Sequence, residues 1–396
     1  MSSIRNTLSA FYLTGSLREL IPIYPLYAIM MGEHGVSPLE LSILFSIWAL
    51  VGIIIEIPSG AWADTYSRKW LIVASGFIKG SAFLTWYLWQ DFYGYALGFI
   101  IWGLGSTLRS GAWEALLYDS LKIWDAQGTF TRHYGRIKAL GTLGAMAGEI
   151  MGGFLIIHGF DLVLLVSVCV PMVATIPFIF LVRDIKSERT VPEESYAATL
   201  KAGVLETFNN KFILYIFLAF TFLVVAFGVI DEYISPILFE KGFSLSQVAW
   251  LAAPIFLAQA SGEAIASRFQ FLSLNQLLTC MAVSTLFLFA SAFLSGYWVA
   301  FTIAVFFFMF ALASTLFSGQ LQKDITGSAR ATVTSTVSLG DGIGAVLWFM
   351  VFGSMAELAS MTMAGAGFAI LTILVCGVFY LLGKRWNITH HNQTAS

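Results

Sequence analysis

The sequence predicts an all-α integral membrane protein with twelve transmembrane helices in two pseudo-symmetric six-helix bundles. Three observations carry this. The chain is 58% hydrophobic and 11% charged, with a mean hydropathy of +0.80, whereas soluble domains carry about 25% charged residues. Its apolar residues fall into runs close to the ~20 that a helix needs to cross a bilayer. A charged stretch at 183–211 divides those runs into two sets of six.

In order, the expected spans are 8–31, 39–62, 70–89, 93–119, 133–158 and 162–182, then 212–238, 245–267, 273–293, 297–320, 331–355 and 362–383. Helices satisfy their own backbone groups in lipid. The short alternating segments of a membrane β-barrel do not occur. Span 1 carries Pro22 and Pro25, which should bend it and free backbone carbonyls. It also holds Arg18 and Glu19, and no small-residue cleavage site follows, so it is expected to be a span rather than a signal sequence. The domain boundaries follow: an N-terminal bundle at 1–182, a cytoplasmic linker at 183–211 with ten charged residues, and a C-terminal bundle with a short cytoplasmic tail at 212–396.

Orientation follows from the 21 lysines and arginines. Arg18, Lys79 and Arg109 lie deep in spans, and Lys241 alone falls in a loop after an odd-numbered span. The rest cluster at the N-terminus, beside the loops after even-numbered spans, or at the C-terminus. The positive-inside rule then puts both termini in the cytoplasm and the protein in the cytoplasmic (inner) membrane.

The same inventory excludes several functions. A net charge of −2 gives no polyanion-binding signature, so no nucleic-acid partner is expected. Cys169, Cys280 and Cys376 lie inside spans, and the five histidines have no zinc spacing, so neither metal nor cofactor is expected. No H-E-x-x-H, paired-aspartate or Walker pattern occurs, which argues against an enzyme or an ATP-driven pump. A polytopic receptor or enzyme is the alternative from another class.

The halves share a faint repeat. Gly35-Val36-Ser37-Pro38-Leu39-Glu40-Leu41 matches Gly242-Phe243-Ser244-Leu245-Ser246-Gln247-Val248, and Glu56 matches Glu263 at the same offset of 207 residues. Repeated bundles with a site between them are an architecture for alternating access.

Three segments then carry a family resemblance. Residues 60–69, Gly-Ala-Trp-Ala-Asp-Thr-Tyr-Ser-Arg-Lys, resemble the signature loop between helices 2 and 3 of the major facilitator superfamily of secondary transporters. Thr65 stands where that family usually has a basic residue, and Ser67 where it has glycine. Span 5 reads Gly141-Thr-Leu-Gly144-Ala-Met-Ala-Gly148-Glu149-Ile-Met-Gly152-Gly153. It resembles an antiporter motif of the same superfamily, with Glu149 in place of a proline. Span 4 carries Arg109 before a glycine, similar to proton-coupled members. The resemblance implies the major facilitator fold, with spans 1, 4, 7 and 10 around a central cavity. It also implies a latch in which Arg68 pairs with Asp119 while Asp64 faces the start of span 11, with Gly60 and Lys69 completing the loop. Gly144, Gly148, Gly152 and Gly153 are read as helix-packing positions.

Ionisable residues at mid-span are costly, at about 2.5–3.5 kcal/mol each on insertion scales, and face cavities or partners. Glu19, Glu149 and Asp341 are the candidates for proton coupling. Arg18, Tyr24, Tyr27, Arg109, Glu114, Asp231 and Glu232 are the candidates for a substrate cavity. Tyr24 and Tyr27 combine a polar tip with a stacking face. Lys79, on a span expected at the periphery, is read as snorkelling or pairing locally. The expected function is a monomeric secondary transporter, with protons, membrane lipids and a small molecule as partners, that exports a small organic solute by proton antiport. Export of a polar metabolite such as a carboxylate siderophore, or uptake by proton symport, are the alternatives.

Overall fold

The computed structural model describes residues 4–184, 207, 210–323, 329–386 and 388. Most of the expected linker lies outside the described residues. All regular elements among those residues are helical. They are α1 (Ile4–Leu17), α2 (Tyr27–Glu33), α3 (Pro38–Thr65), α4 (Arg68–Leu88), α5 (Phe92–Lys122), α6 (Phe130–Leu155), α7 (Phe160–Ala174) and α8 (Ile176–Leu181) in the first half. The second half holds α9 (Lys211–Ala219), α10 (Val225–Glu240), α11 (Leu245–Ile265), α12 (Leu274–Ser291), α13 (Tyr297–Lys323), α14 (Ala329–Leu358) and α15 (Met361–Arg385).

Among the described residues, ten stretches are helical, long and apolar enough to cross a membrane. The two other expected spans differ for physical reasons. Span 1 is broken rather than bent: α1 ends at Leu17, α2 begins at Tyr27, and residues 18–26 between them form turns. Proline lacks an N–H and clashes with the preceding turn, so Pro22 and Pro25 end the helix. Span 4 is α5, a continuous helix of 31 residues, whose apolar character is diluted by Arg109, Glu114 and Asp119. Span 7 has its own irregularity, a π-helical turn at Phe220–Val224 between α9 and α10. Such turns are rare and frequently occur at functional sites.

The chain divides into two compact units. One comprises the described residues of 1–36, 47–192 and 244–253, and the other those of 37–46, 193–243 and 254–396. Each unit therefore includes a ten-residue piece from the opposite half, and the two pieces are offset by 207 residues, as in the sequence repeat.

The repeat has a physical basis. Gly35 and Gly242 have φ of 88° and 91°, a left-handed conformation that favours glycine. Ser37 and Ser244 then start α3 and α11. The Ser37 N–H donates to Glu40 Oε2 (2.9 Å), and the Glu40 N–H donates to Ser37 Oγ (3.3 Å). The Ser244 N–H donates to Gln247 Oε1 (2.9 Å), and the Gln247 N–H to Ser244 Oγ (3.3 Å). These are reciprocal capping boxes. Val36 with Leu41, and Phe243 with Val248, occupy the staple positions beside them, and all four are buried.

In the first unit, α4 packs along α5 and α7, and α1 along α6 and α8. The glycines of α6 set the approach of α6 to span 1. A Cβ at Gly148 would lie 2.6 Å from the Ile21 nitrogen, and one at Gly144 or Gly152 would overlap the carbonyl of Ser16 or Pro22. Gly153 abuts the Trp250 indole. In the second unit, α12 packs along α13 and α15. The start of α3 is fastened there by a Ser42–Tyr233 hydroxyl hydrogen bond of 2.6 Å and by the Leu39 N–H donating to Glu357 Oε2 at 3.2 Å.

Candidate functional site

The break in span 1 places two charged side chains inside the first unit. Arg18 and Glu19 follow the last residue of α1, where the helix dipole favours a cation. Arg18 Nε lies 3.0 Å from Glu19 Oε1, and Lys79 Nζ of α4 lies 3.9 Å from Glu19 Oε2. The side chains of Arg18, Glu19 and Lys79 are 19%, 24% and 14% exposed. Arg109 of α5 lines the same small cavity of about 20 Å³, with Thr14, Ser75, Ser106 and Thr175 from α1, α4, α5 and the α7–α8 junction. Of the two expectations for Lys79, snorkelling or local pairing, the structure shows pairing, with the side chain turned into the unit. The face of α4 that carries Gly76 and Gly80 packs tightly on α7, and this rotates Lys79 inward.

Aromatic rings bracket the charges. The Arg18 guanidinium lies 4.6 Å from the Trp113 ring. Trp113 packs with Phe11 and Phe178 at centroid distances of 4.9 and 5.3 Å. Lys79 Nζ lies 5.2 Å from the Tyr24 ring and 5.5 Å from Trp102. Tyr24 and Trp102 are stacked at 5.5 Å and 11°. Tyr27 continues this layer through Trp86, Phe99 and Trp102. Cation–π contacts in desolvated settings contribute about 2 kcal/mol, so the rings offset part of the burial of both cations. Trp102, Trp113 and Lys79 are site residues that sequence reasoning left out. The usable signal for Lys79 was its spacing of three residues from Gly76 on one helix.

The remaining expected residues are placed as follows. Glu114 is exposed on α5 and accepts a hydrogen bond from the Tyr134 hydroxyl of α6. Arg18 pairs with Glu19. Glu149 is half-buried on α6, one residue after the Gly148 contact with span 1. Asp231 is exposed and Glu232 half-buried on α10, in the second unit. Asp341 is half-buried on α14, beside Gly340 and three residues before Gly344, and both glycines abut Thr221 in the π turn.

The 60–69 segment is mostly helical, with only Tyr66 and Ser67 between α3 and α4, and it knits the first unit together at its end. Arg68, only 5% exposed, forms an ion pair with Asp119 at the end of α5. Lys69 Nζ donates to the Ile179 carbonyl of α8 at 2.9 Å, and Ser67 Oγ donates to Asp184 at 2.5 Å. Ser67 also caps α4 by accepting from the Trp70 N–H at 3.3 Å, with φ of −61°. That backbone is extended, so glycine is not required there and serine gains a capping role. Gly60 and Asp64 lie in the last turns of α3, and span 11 starts within α14, but the contact expected between Asp64 and that start falls outside the described side chains.

The comparisons with known proteins agree on one architecture. The model of the Major Facilitator Superfamily matches residues 7–349. An uncharacterized MFS-type transporter of Bacillus subtilis, YxaM, is 26% identical over 258 residues, covering 62% of this chain and 62% of the relative. Another from Methanocaldococcus jannaschii, MJ1560, is 27% identical over 136 residues, covering 34% and 33%. The chain thus spans about three fifths and one third of these relatives' lengths. Among solved structures, the nucleoside transporter NupG aligns with a TM-score of 0.77 at 14% identity, covering 96% of this chain and 99% of that one. A bacterial homologue of the human lysosomal transporter Spinster, inward-facing and unoccupied, aligns at 0.72 with 16% identity and 96% coverage of both chains. At these identities the structures speak for the fold alone. With a family model matched across residues 7–349 and the same helical fold, this chain belongs to the Major Facilitator Superfamily of multi-pass membrane proteins.

Proposed function

We infer that this protein is a proton-coupled secondary transporter that exports a small organic solute by alternating access. The observation that carries this reading is the break in span 1, which sets Arg18 and Glu19 among Lys79 and Arg109 inside the membrane. Discontinuous membrane helices and intramembrane charges mark solute and ion pathways. Proton antiport, rather than symport, rests on the resemblance of span 5 to the antiporter motif. Glu19 is engaged with Arg18 and Lys79. At about 4 Å and an effective dielectric of ~20, such a pair attracts by ~4 kcal/mol. Glu149 is therefore the favoured proton carrier, since its helix packs directly on the broken segment. Asp341 is the corresponding candidate in the second unit. Arg68 and Asp119 act as the latch that favours the outward-open state.

Purified protein in proteoliposomes tests this. An imposed proton gradient should drive counterflow of the solute, and Glu149→Gln should uncouple that flux while leaving solute exchange intact. Glu19→Gln should instead impair exchange itself. Unchanged proton coupling in both variants would overturn the carrier assignment, and flux indifferent to the proton gradient would overturn the mechanism.

A further inference from the structure

The charge cluster of the first unit is not neutral. Three cations, Arg18, Lys79 and Arg109, share one small cavity with a single carboxylate, Glu19. Among the described residues Arg109 forms no ion pair. Arg18 Nη1 is buried and has no hydrogen-bond acceptor among the described residues, and its Nε is near Glu19 but misaligned for a hydrogen bond. The surplus is two positive charges at mid-membrane, where each uncompensated charge costs several kcal/mol. The aromatic rings relieve only part of this.

The polar lining points the same way. Thr14, Ser75 and Thr175 donate their hydroxyl protons to the carbonyls of Ala174, Ile72 and Met172. Ser106 makes no such bond among the described residues, which leaves its hydroxyl as a donor to the cavity. The cavity volume of about 20 Å³ suffices for one water-sized group, since a single water needs ~10–15 Å³. We propose that this cavity, enclosed by α1, α4, α5 and the α7–α8 junction, binds one small monovalent anionic group through Arg18, Lys79, Arg109 and Ser106. The shared chemistry is that of a carboxylate head or a halide. Where the group is the solute's own carboxylate, the inference rests on the transport reading above and narrows the substrate to organic acids.

The reporters are built in, because Trp113 and Trp102 lie beside Arg18 and Lys79. Full-length protein in nanodiscs would be titrated with chloride and with acetate, at constant ionic strength held by a bulky organic sulfonate. Tryptophan emission and melting temperature would be followed. The expected result is a saturable response to at least one anion. Arg109→Gln and Lys79→Met should each weaken it at least tenfold, about 1.4 kcal/mol, while Arg109→Lys retains it. Saturation by chloride with chloride-dependent solute flux identifies a co-bound inorganic ion. Saturation by acetate with chloride-independent flux identifies the solute's carboxylate. No saturable response in the wild-type protein overturns the proposal, as does an unaltered response in both charge-removing variants. Proton-driven flux without anion binding removes this inference alone, and anion binding without proton-driven flux removes only the transport mechanism.

Discussion

At the scale of single residues, the departures of this chain from its family's motifs have local causes. Ser67 replaces a glycine because the backbone there is extended and the hydroxyl caps α4. Its neighbour Arg68 is almost fully buried, and a buried cation needs its counter-charge. Asp119→Asn should therefore lower the melting temperature, with a loss of ~1–3 kcal/mol typical of a hydrogen bond to a charged group. Asp119→Glu should recover part of it. A thermal denaturation series in detergent checks this, and an unshifted melting temperature for Asp119→Asn would show that the pair does not support the fold. The residues of this contact could be named from sequence. Lys79 could not be placed, because the inward rotation of α4 depends on its packing against α7.

At the scale of elements, the broken span 1 and the glycine face of α6 form one structural device. Without water between lipid-embedded helices, association depends on close packing and polar contacts. Gly144, Gly148 and Gly152 bring α6 onto the backbone of residues 16–22. The Ser167 hydroxyl of α7 accepts from the freed Ile23 N–H at 3.1 Å, which satisfies part of the break. Gly152→Val would place its Cβ against the Pro22 carbonyl, with no flexible side chain to yield. The expected cost is ~1–3 kcal/mol, in the range of overpacked cores, read as a lower melting temperature. Gly135→Ala, on the same helix with open space around it, should be neutral or slightly stabilising. Equal effects from the two substitutions would sink the packing argument. The prolines and glycines signalled this arrangement in sequence. The length of the break did not show, because each proline alone permits either a kink or an interruption.

At the scale of the whole molecule, the offset of 207 residues links sequence, local geometry and unit composition. The same glycine turn and capping box recur at Gly35–Glu40 and Gly242–Gln247. Each box starts a segment that joins the unit built mainly from the opposite half. Ser37→Ala and Ser244→Ala should therefore destabilise by similar amounts, ~0.5–2 kcal/mol each for a lost N-cap. Differential scanning calorimetry of both variants checks this, and a large effect from one with none from the other would contradict equivalent roles. The sequence by itself determined the membrane class, the all-helical fold, the superfamily and the repeat. Each of these follows from hydropathy, backbone preference or a local motif, which short stretches of chain express without help from distant residues. Only the tertiary structure decided that Lys79 joins Arg18, Glu19 and Arg109, and that the resulting cavity carries surplus positive charge. That outcome depends on the rotation of elements distant in sequence about their axes, which is set by mutual packing and has no signature in any one of them.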